Sequence, residues 1–381
     1  MKIVVIGTRG FPNVQGGVES HCEHLYPNIV LHGGDVTVIG RKPYLSPQVT
    51  EYKKVKIVHK ECTTNKYLEA ISHTFSGVFE AKKLNADILH IHAIGPSIMT
   101  LVAKLMGLKV VVTNHGPDYV RSKWNLFAKI ILKLGEFFGS KMANEVICIS
   151  NPIAESIEKK YKRNVNVIPN GVIIEDRVES KEFLKKHHLT DHKYILCVGR
   201  LVPEKGFHDL IDAFNRITNG QDQLNSWKLV VVGDADHEGK YSLELKDKAK
   251  QNPNVILTGT LKGQALREVF SHAGLFVLPS YHEGLPIVLL EAMSFGLSCI
   301  VSDIPANRNV GLSEDRHFKA GDIEALAAKI KKYMSVEFSE SESKAQIEMI
   351  RQNYDWDHIA EKTVDVYNAV LNRKKREMQL V

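Results

Sequence analysis

Nowhere in its 381 residues does this chain carry an apolar run approaching the ~20 residues that cross a bilayer, so no membrane-spanning helix is expected. Residues 1–7 read as a first strand, without the long apolar segment and small-residue cleavage site of a secretory leader. Cysteine is scarce. Cys22, Cys62, Cys148, Cys197 and Cys299 are scattered, and no two stand at metal-ligand spacing. Buried free thiols are the reading, rather than a disulfide framework or a zinc site. Low-complexity segments, zinc-finger spacing and aromatic RNA-binding motifs are all missing, so nucleic acid is not an expected partner. These absences point to a cytoplasmic protein.

What is present suits an ordinary globular chain. Hydrophobic residues make up 44% and charged residues 25%, which leaves disorder and membrane burial without support. The length suits two domains of roughly 150–200 residues. Charge is unevenly spread, with a net of +8 in residues 1–175, −3 in 176–356 and +1 in 357–381. A basic first half suggests an anionic partner, and a membrane surface or a lipid diphosphate fits better than nucleic acid.

The most informative stretch is residues 280–296, Ser-Tyr-His-Glu-Gly-Leu-Pro-Ile-Val-Leu-Leu-Glu-Ala-Met-Ser-Phe-Gly. It follows Leu275–Leu278, an apolar run that reads as a buried strand. Pro286 suits the first position of a helix and Gly296 its end, which predicts about three turns. Within that apolar helix stands one carboxylate, Glu291, with no Lys or Arg one turn away. A buried carboxylate needs hydrogen-bond donors, and the hydroxyl pair of a ribose would supply them. Glu283 lies in the loop before the helix, and the helix start between the two offers amides and a positive dipole end for a phosphate. Two surface glutamates flanking a core helix fit the same residues.

With its surroundings, this stretch resembles the E-x7-E signature of retaining glycosyltransferases of the GT-B fold, specifically glycosyltransferase family 4. The resemblance runs through nearly the whole chain. Strand Lys2–Ile6 enters a loop whose Gly7-x-x-Gly10 falls short of a dinucleotide fingerprint, which speaks against NAD. By spacing alone that loop is a tight turn or a phosphate approach. The next segment, Gly16-Gly17-Val18-Glu19-Ser20-His21, is similar to the family's Gly-Gly-x-Glu-x-His, where the glycine loop lies against donor diphosphate and acceptor. Pro27 departs from the pattern and is expected to kink or break the first helix. His90 and His92 share one face of a strand over residues 87–92 and read as packed or cleft-edge histidines, with no metal site expected. After the strand at 109–114, Thr113-Asn114-His115-Gly116 resembles the segment that brings a histidine near the donor sugar.

Residues 123–143 form an apolar helix with basic punctuation, including Lys123, Lys129, Lys133 and Lys141. Such a helix lies on an anionic membrane or packs on its own sheet. Pro169-Asn170-Gly171-Val172 resembles the turn that closes the first domain. Tyr194–Val198 then opens the second, and its Gly199-Arg200 and Lys205-Gly206 echo the start of the chain. Two cations there suit a diphosphate or surface ion pairs. In the family the matching Arg and Lys hold the leaving diphosphate. Asp234-x-Asp236 is read as cleft-edge rather than metal-binding, and Trp356 lies in a segment like the family's closing motif. Near the end of the last helix lie Lys374, Lys375 and Arg376.

The expected fold is α/β of the GT-B type, two doubly wound Rossmann-like domains facing across a cleft. Residues 1–175, completed by a helix over 357–381, form the acceptor-side domain, and 176–356 the nucleotide-sugar domain. The resemblance implies a retaining, metal-independent transfer from a nucleotide diphosphate sugar, UDP favoured, with no cofactor. The implied acceptor is a glycan or polyprenyl-diphosphate-linked glycan of bacterial surface polysaccharide. Catalytic roles fall to Glu283, His115, Arg200 and Lys205. Donor binding falls to Gly16, Gly17, Arg200, Lys205, Glu283, Gly284, Leu285, Ile287 and Glu291. An anionic membrane surface is a possible further partner. The alternatives are a GT-B nucleotide-sugar epimerase and a non-catalytic nucleotide-sugar binding protein.

Overall fold

Strands such as Tyr194–Val198 and Leu275–Leu278 are apolar at consecutive positions, as strands covered by helices on both faces must be. The computed structural model follows that logic in both halves of the chain. It describes residues 1–63, 69–120, 124–218, 226–235, 238–336 and 338–378, with side chains described to residue 372. Lys123, Asp236 and the side chains of Lys374, Lys375 and Arg376 lie outside the described residues. The chain divides into two compact units, Met1–Gly171 with Tyr354–Val381, and Val172–Asn353. Among the described residues, no helix is long and apolar enough to cross a membrane.

In the first unit the strands are β1 (Lys2–Ile6), β2 (Asp35–Arg41), β3 (Glu51–Tyr52), β4 (Val55–Lys60), β5 (Ile88–His92), β6 (Val110–Asn114), β7 (Glu145–Cys148) and β8 (Asn166–Val167). They form one sheet in the order β3-β4-β2-β1-β5-β6-β7-β8, parallel except for the β3–β4 hairpin. The register sets Ile3 beside Ile88 and Leu89 beside Val110. Helices α1 (Gly17–Leu31), α2 (Glu69–Lys83), α3 (Thr100–Leu105), α4 (Leu126–Met142) and α5 (Asn151–Tyr161) belong to this unit. The chain's last long helix, Trp356–Met378, packs on α1.

The expected break at Pro27 does not occur, and α4 packs through an unforeseen face. Helix α1 runs through Pro27 and continues to Leu31. Proline removes one helix hydrogen bond, and the fully buried Leu25, Tyr26 and Ile29 around it hold the segment against the core. In α4 it is the small face that packs inward. Ala128, Gly135, Gly139 and Ser140 are buried, and a Cβ on Gly135 would stand 2.0 Å from the Ile94 carbonyl oxygen. Leu126, Phe127, Ile130, Leu134 and Phe137 are thereby exposed. Asn125 caps this helix, accepting from the Ala128 N–H at 2.9 Å.

The second unit has strands β9 (Tyr194–Val198), β10 (Lys228–Val232), β11 (Val255–Leu257), β12 (Leu275–Leu278), β13 (Cys299–Ser302) and β14 (His317–Phe318). They pair in parallel in the order β11-β10-β9-β12-β13-β14. Its helices are α6 (Glu182–Lys186), α7 (Phe207–Thr218), α8 (Lys240–Lys250), α9 (Gly263–Ser271), α10 (Ile287–Ser294), α11 (Pro305–Arg308), α12 (Ile323–Met334) and α13 (Glu340–Tyr354), and the terminal helix of the first unit is therefore α14. All four side chains of β12 are fully buried. Each contributes about 1.5–3 kcal/mol by burial, so the strand cannot shift, and the loop that follows it is held in place.

Candidate active site

In the second unit β9 has β10 on one side and β12 on the other, so the strand order reverses between β9 and β12. Ligands of open α/β sheets bind beyond the strand ends at such a reversal. The loop after β9 carries Arg200 and Lys205, and the loop after β12 carries Glu283, Gly284 and Leu285. A backbone bond from the Tyr281 N–H to the Glu204 carbonyl, 2.8 Å, joins the two loops. Lys205 Nζ then stands 2.6 Å from Glu283 Oε1, with the two side chains 16% and 10% exposed. The Ser280 hydroxyl donates to the same oxygen at 2.7 Å. Both bonds converge on Oε1 of the loop carboxylate.

Arg200 is half-buried directly after Gly199. Gly199 itself packs against the backbone of Gly233. Gly233 adopts φ +132°, and a Cβ there would stand 1.9 Å from the Gly199 carbonyl oxygen. Only glycine permits this approach. Asp234 is tied down beside it, accepting from the Ala235 N–H at 2.8 Å and pairing with Lys246 at 3.2 Å.

Helix α10 starts after Pro286, with no side chain capping it, and Gly296 closes it with φ +63°. At eight residues it is a turn shorter than expected, because Pro286 precedes the helix in extended conformation. Its positive dipole end lies just after Gly284 and Leu285 in the chain. Ile287 and Glu291 share one face, and both are half-buried. Among the described residues, the Glu291 carboxylate has no hydrogen bond and no ion pair. Burial, with the nearby Glu175 carboxylate, pushes its pKa up to about 7.

The first unit repeats the arrangement with different chemistry. Here the strand order reverses between β1 and β5. Gly16 precedes α1 and Gly17 opens it, the latter exposed with open space beside its Cα. Glu19 in the first turn is buried and bonds Arg9 through the backbone N–H at 3.1 Å and through Nε at 3.2 Å. At the ends of β5 and β6 lies a cluster of imidazoles. His90 and His92 stack, with ring centroids 4.3 Å apart. His90 shares hydrogen bonds with Tyr367 Oη at 2.6 Å and Thr113 Oγ1 at 2.7 Å. His92 shares one with Tyr26 Oη at 2.5 Å and one with His115 Nε2 at 3.0 Å. His115 itself is half-buried. Burial and neighbouring imidazoles hold His90 and His115 near a pKa of about 3 and push His21 and His92 well below the usual range.

Sequence reasoning did not single out Ser280, Arg9 or the Tyr26–His92 bond. Only Ser280 left a local signal, a hydroxyl three residues before the loop carboxylate. The other partners are distant in sequence, and only the sheet order brings them together.

The chain is built of two Rossmann-like α/β domains, each with polar side chains gathered at its sheet's reversal point. Residues 178–355 match the family model described as Glycosyl transferases group 1, and residues 15–176 match Glycosyltransferase Family 4. The chain belongs to this glycosyltransferase family and has the GT-B fold. It is 27% identical to the Bacillus subtilis protein named as teichuronic acid biosynthesis glycosyltransferase TuaC, over 79% of this chain and 81% of that one. With the Escherichia coli UDP-Gal:alpha-D-GlcNAc-diphosphoundecaprenol alpha-1,3-galactosyltransferase it shares 32% identity over 59% of this chain and 60% of that protein. Among solved structures, Anabaena HepE in complex with UDP-glucose superposes with a TM-score of 0.80 at 17% identity, covering 97% of this chain and all of that one.

Proposed function

We propose that the protein is a retaining glycosyltransferase that moves a sugar from a nucleotide diphosphate donor, UDP-sugar favoured, to a hydroxyl of a lipid-linked glycan in bacterial surface polysaccharide synthesis. The observation that carries the donor side is Glu291, a half-buried carboxylate without a partner among the described residues and with its pKa raised to about 7. It is an acceptor awaiting donors, and a ribose diol supplies two. The diphosphate then lies at the start of α10, against Arg200 and Lys205. These cations and the helix amides stabilise the charge that grows on the leaving group, so the transfer step needs no metal.

Glu283, held by Lys205 and Ser280, orients sugar hydroxyls through its second oxygen, with Gly284, Leu285 and Ile287 lining the path by backbone and apolar contact. The leaving phosphate accepts the acceptor's proton, which retains the anomeric configuration without a separate base. In the first domain we assign His115 to orienting a sugar and the Gly16-Gly17 loop to phosphate or acceptor. The names of the Bacillus and Escherichia relatives support the polysaccharide setting, and the second also supports a diphosphopolyprenol acceptor.

The exposed row Leu126, Phe127, Ile130, Leu134 and Phe137 on α4, with Lys129 and Lys133 beside it, suits the inner face of an anionic membrane, where a lipid-linked acceptor resides. We therefore place the protein as cytoplasmic and peripheral on that membrane.

The first test is a thermal-shift series with UDP, GDP, dTDP, ADP and NAD on wild type and Glu291→Ala. Stabilisation by one nucleoside diphosphate, lost in the variant, is the expected result. Stabilisation by NAD alone overturns the reading. Conversion of a nucleotide sugar to its epimer without acceptor would replace the transferase with an epimerase.

A further inference from the structure

The imidazole cluster of the first unit contains two buried nitrogens, both on His21, without a hydrogen bond of normal geometry. That residue is 3% exposed. The Asn170 side chain lies beside it and favours its protonated form, but at weaker geometry. A buried imidazole without a proper partner is costly. Its ring lies 5.0 Å from that of His115 and 5.5 Å from that of His92, centroid to centroid. One nitrogen from each of His21, His92 and His115 falls within a set whose members are all within 4.8 Å of one another.

We infer that His21, His92 and His115 form a binding site for a divalent transition-metal ion, with Zn²⁺ the best fit. Tetrahedral zinc with nitrogen at 2.0–2.1 Å places its ligand atoms about 3.3 Å apart. His92 Nδ1 and His115 Nε2 already stand 3.0 Å apart. His21 completes the set by rotating its ring toward them, and it breaks no hydrogen bond of normal geometry in doing so. On binding, the proton shared by the His92–His115 pair moves to the far nitrogen of its own ring. For His92 that nitrogen is Nε2, which then donates to Tyr26 Oη, 2.5 Å away. Metal-bound histidines are oriented by such a bond on the other nitrogen.

Three neutral nitrogens without a carboxylate select zinc, cobalt, nickel or copper over magnesium and calcium. Three protein ligands leave the fourth position to water. The ion would tie α1 to the ends of β5 and β6. The ion would engage His115, assigned above to orienting a sugar, so the proposal stands apart only from the donor-side reading, whose groups lie in the second unit.

The test uses full-length, tag-free, metal-stripped protein. Zn²⁺ is titrated against a chromophoric chelator, and Co²⁺ binding is followed by its visible spectrum. Quenching of tryptophan fluorescence by Co²⁺ gives a local readout, since the Trp356 ring lies 5.5 Å from His21. One ion per chain is expected, together with a rise in Tm on adding Zn²⁺. His21→Leu and His92→Gln should weaken binding at least about 100-fold, and Tyr26→Phe about 10- to 100-fold. His188→Gln, at an exposed histidine, should change nothing. His21→Leu keeps the test sound if His92→Gln fails to fold. No zinc binding by folded wild type, or equal binding by His21→Leu, overturns the inference and leaves a dry hydrogen-bonded cluster.

Discussion

Replacing Glu291 by Gln tests the donor site most directly, because its consequences differ in sign between free and bound protein. In the free protein the carboxyl has a pKa of about 7, raised first by burial and then by Glu175. A ribose diol donates more strongly to the ionised form than to the neutral acid. With that pKa, about one carboxyl in eleven is ionised at pH 6 and about ten in eleven at pH 8. Affinity for a nucleotide sugar should therefore rise by up to about tenfold over that interval. The sugar ester is the right probe, because its diphosphate carries no proton that titrates there. In Glu291→Gln the rise should vanish. Affinity at pH 8 should fall about 10- to 150-fold, the loss of a charge-assisted hydrogen bond of about 1.5–3 kcal/mol. Isothermal titration at pH 6, 7 and 8 measures both effects. Stability runs the other way. The folded pKa lies above the unfolded one, so the folded protein keeps a proton that the unfolded chain releases. Wild-type stability without ligand should decline as pH rises from about 4.3 toward 7, and Glu291→Gln should flatten that decline. A variant that binds the donor like wild type, or that keeps the same pH profile, would refute the ribose assignment.

Lys205→Met should lower turnover about 10²- to 10³-fold with a smaller change in KM, as expected for a cation acting on developing charge; steady-state kinetics with a sugar ester of the nucleotide that the thermal-shift series selects would show it, and an unchanged kcat would remove Lys205 from the leaving-group role. Phe127→Glu combined with Ile130→Glu should abolish co-sedimentation with anionic vesicles at low salt while leaving Tm within about 1 °C, because both side chains are exposed. Vesicle binding that survives the double substitution would place the membrane contact elsewhere. Gly233→Ala should destabilise the second unit by at least about 2 kcal/mol in urea unfolding, since its Cβ would stand 1.9 Å from the Gly199 carbonyl oxygen.

The fold class was legible because the strands of both sheets are apolar at consecutive positions and are followed by glycine-rich turns and amphipathic helices. What escaped has physical reasons. The β3–β4 hairpin is short, edge-lying and partly polar, so it carries little hydrophobic pattern. Periodicity locates the apolar face of α4 but does not say which face is buried. Gly135 and Gly139 held that information, because only small residues allow the helix to approach the Ile94–Gly95 backbone and the Ser97 side chain. Pro27 misled because local propensity yields to a fully buried helix face. At the site, Glu291 stood out by its isolation among apolar neighbours. The Lys205–Glu283 pair, 78 residues apart, is visible only once β9 and β12 are neighbours.

Both sheets carry polar side chains at the reversal of strand order, and the two sets differ in chemistry. In the second unit that place holds opposite charges, a helix start without a side-chain cap and a carboxylate without a partner among the described residues, groups whose value lies in meeting an anion and a diol. In the first it holds neutral imidazoles, phenols and a threonine hydroxyl, bonded in a chain from Tyr367 through His90 and Tyr26 to His92 and His115. Neutral groups of that kind donate and accept equally well, which suits an uncharged hydroxyl. They would be a poor cradle for a diphosphate. The proposed division of labour between donor and acceptor follows from residue chemistry at each sheet. It predicts that nucleotide affinity will follow substitutions in the second unit and be nearly indifferent to His90→Gln. A large loss of nucleotide binding in His90→Gln, with the fold intact by circular dichroism, would show that the two sites are not separate in function.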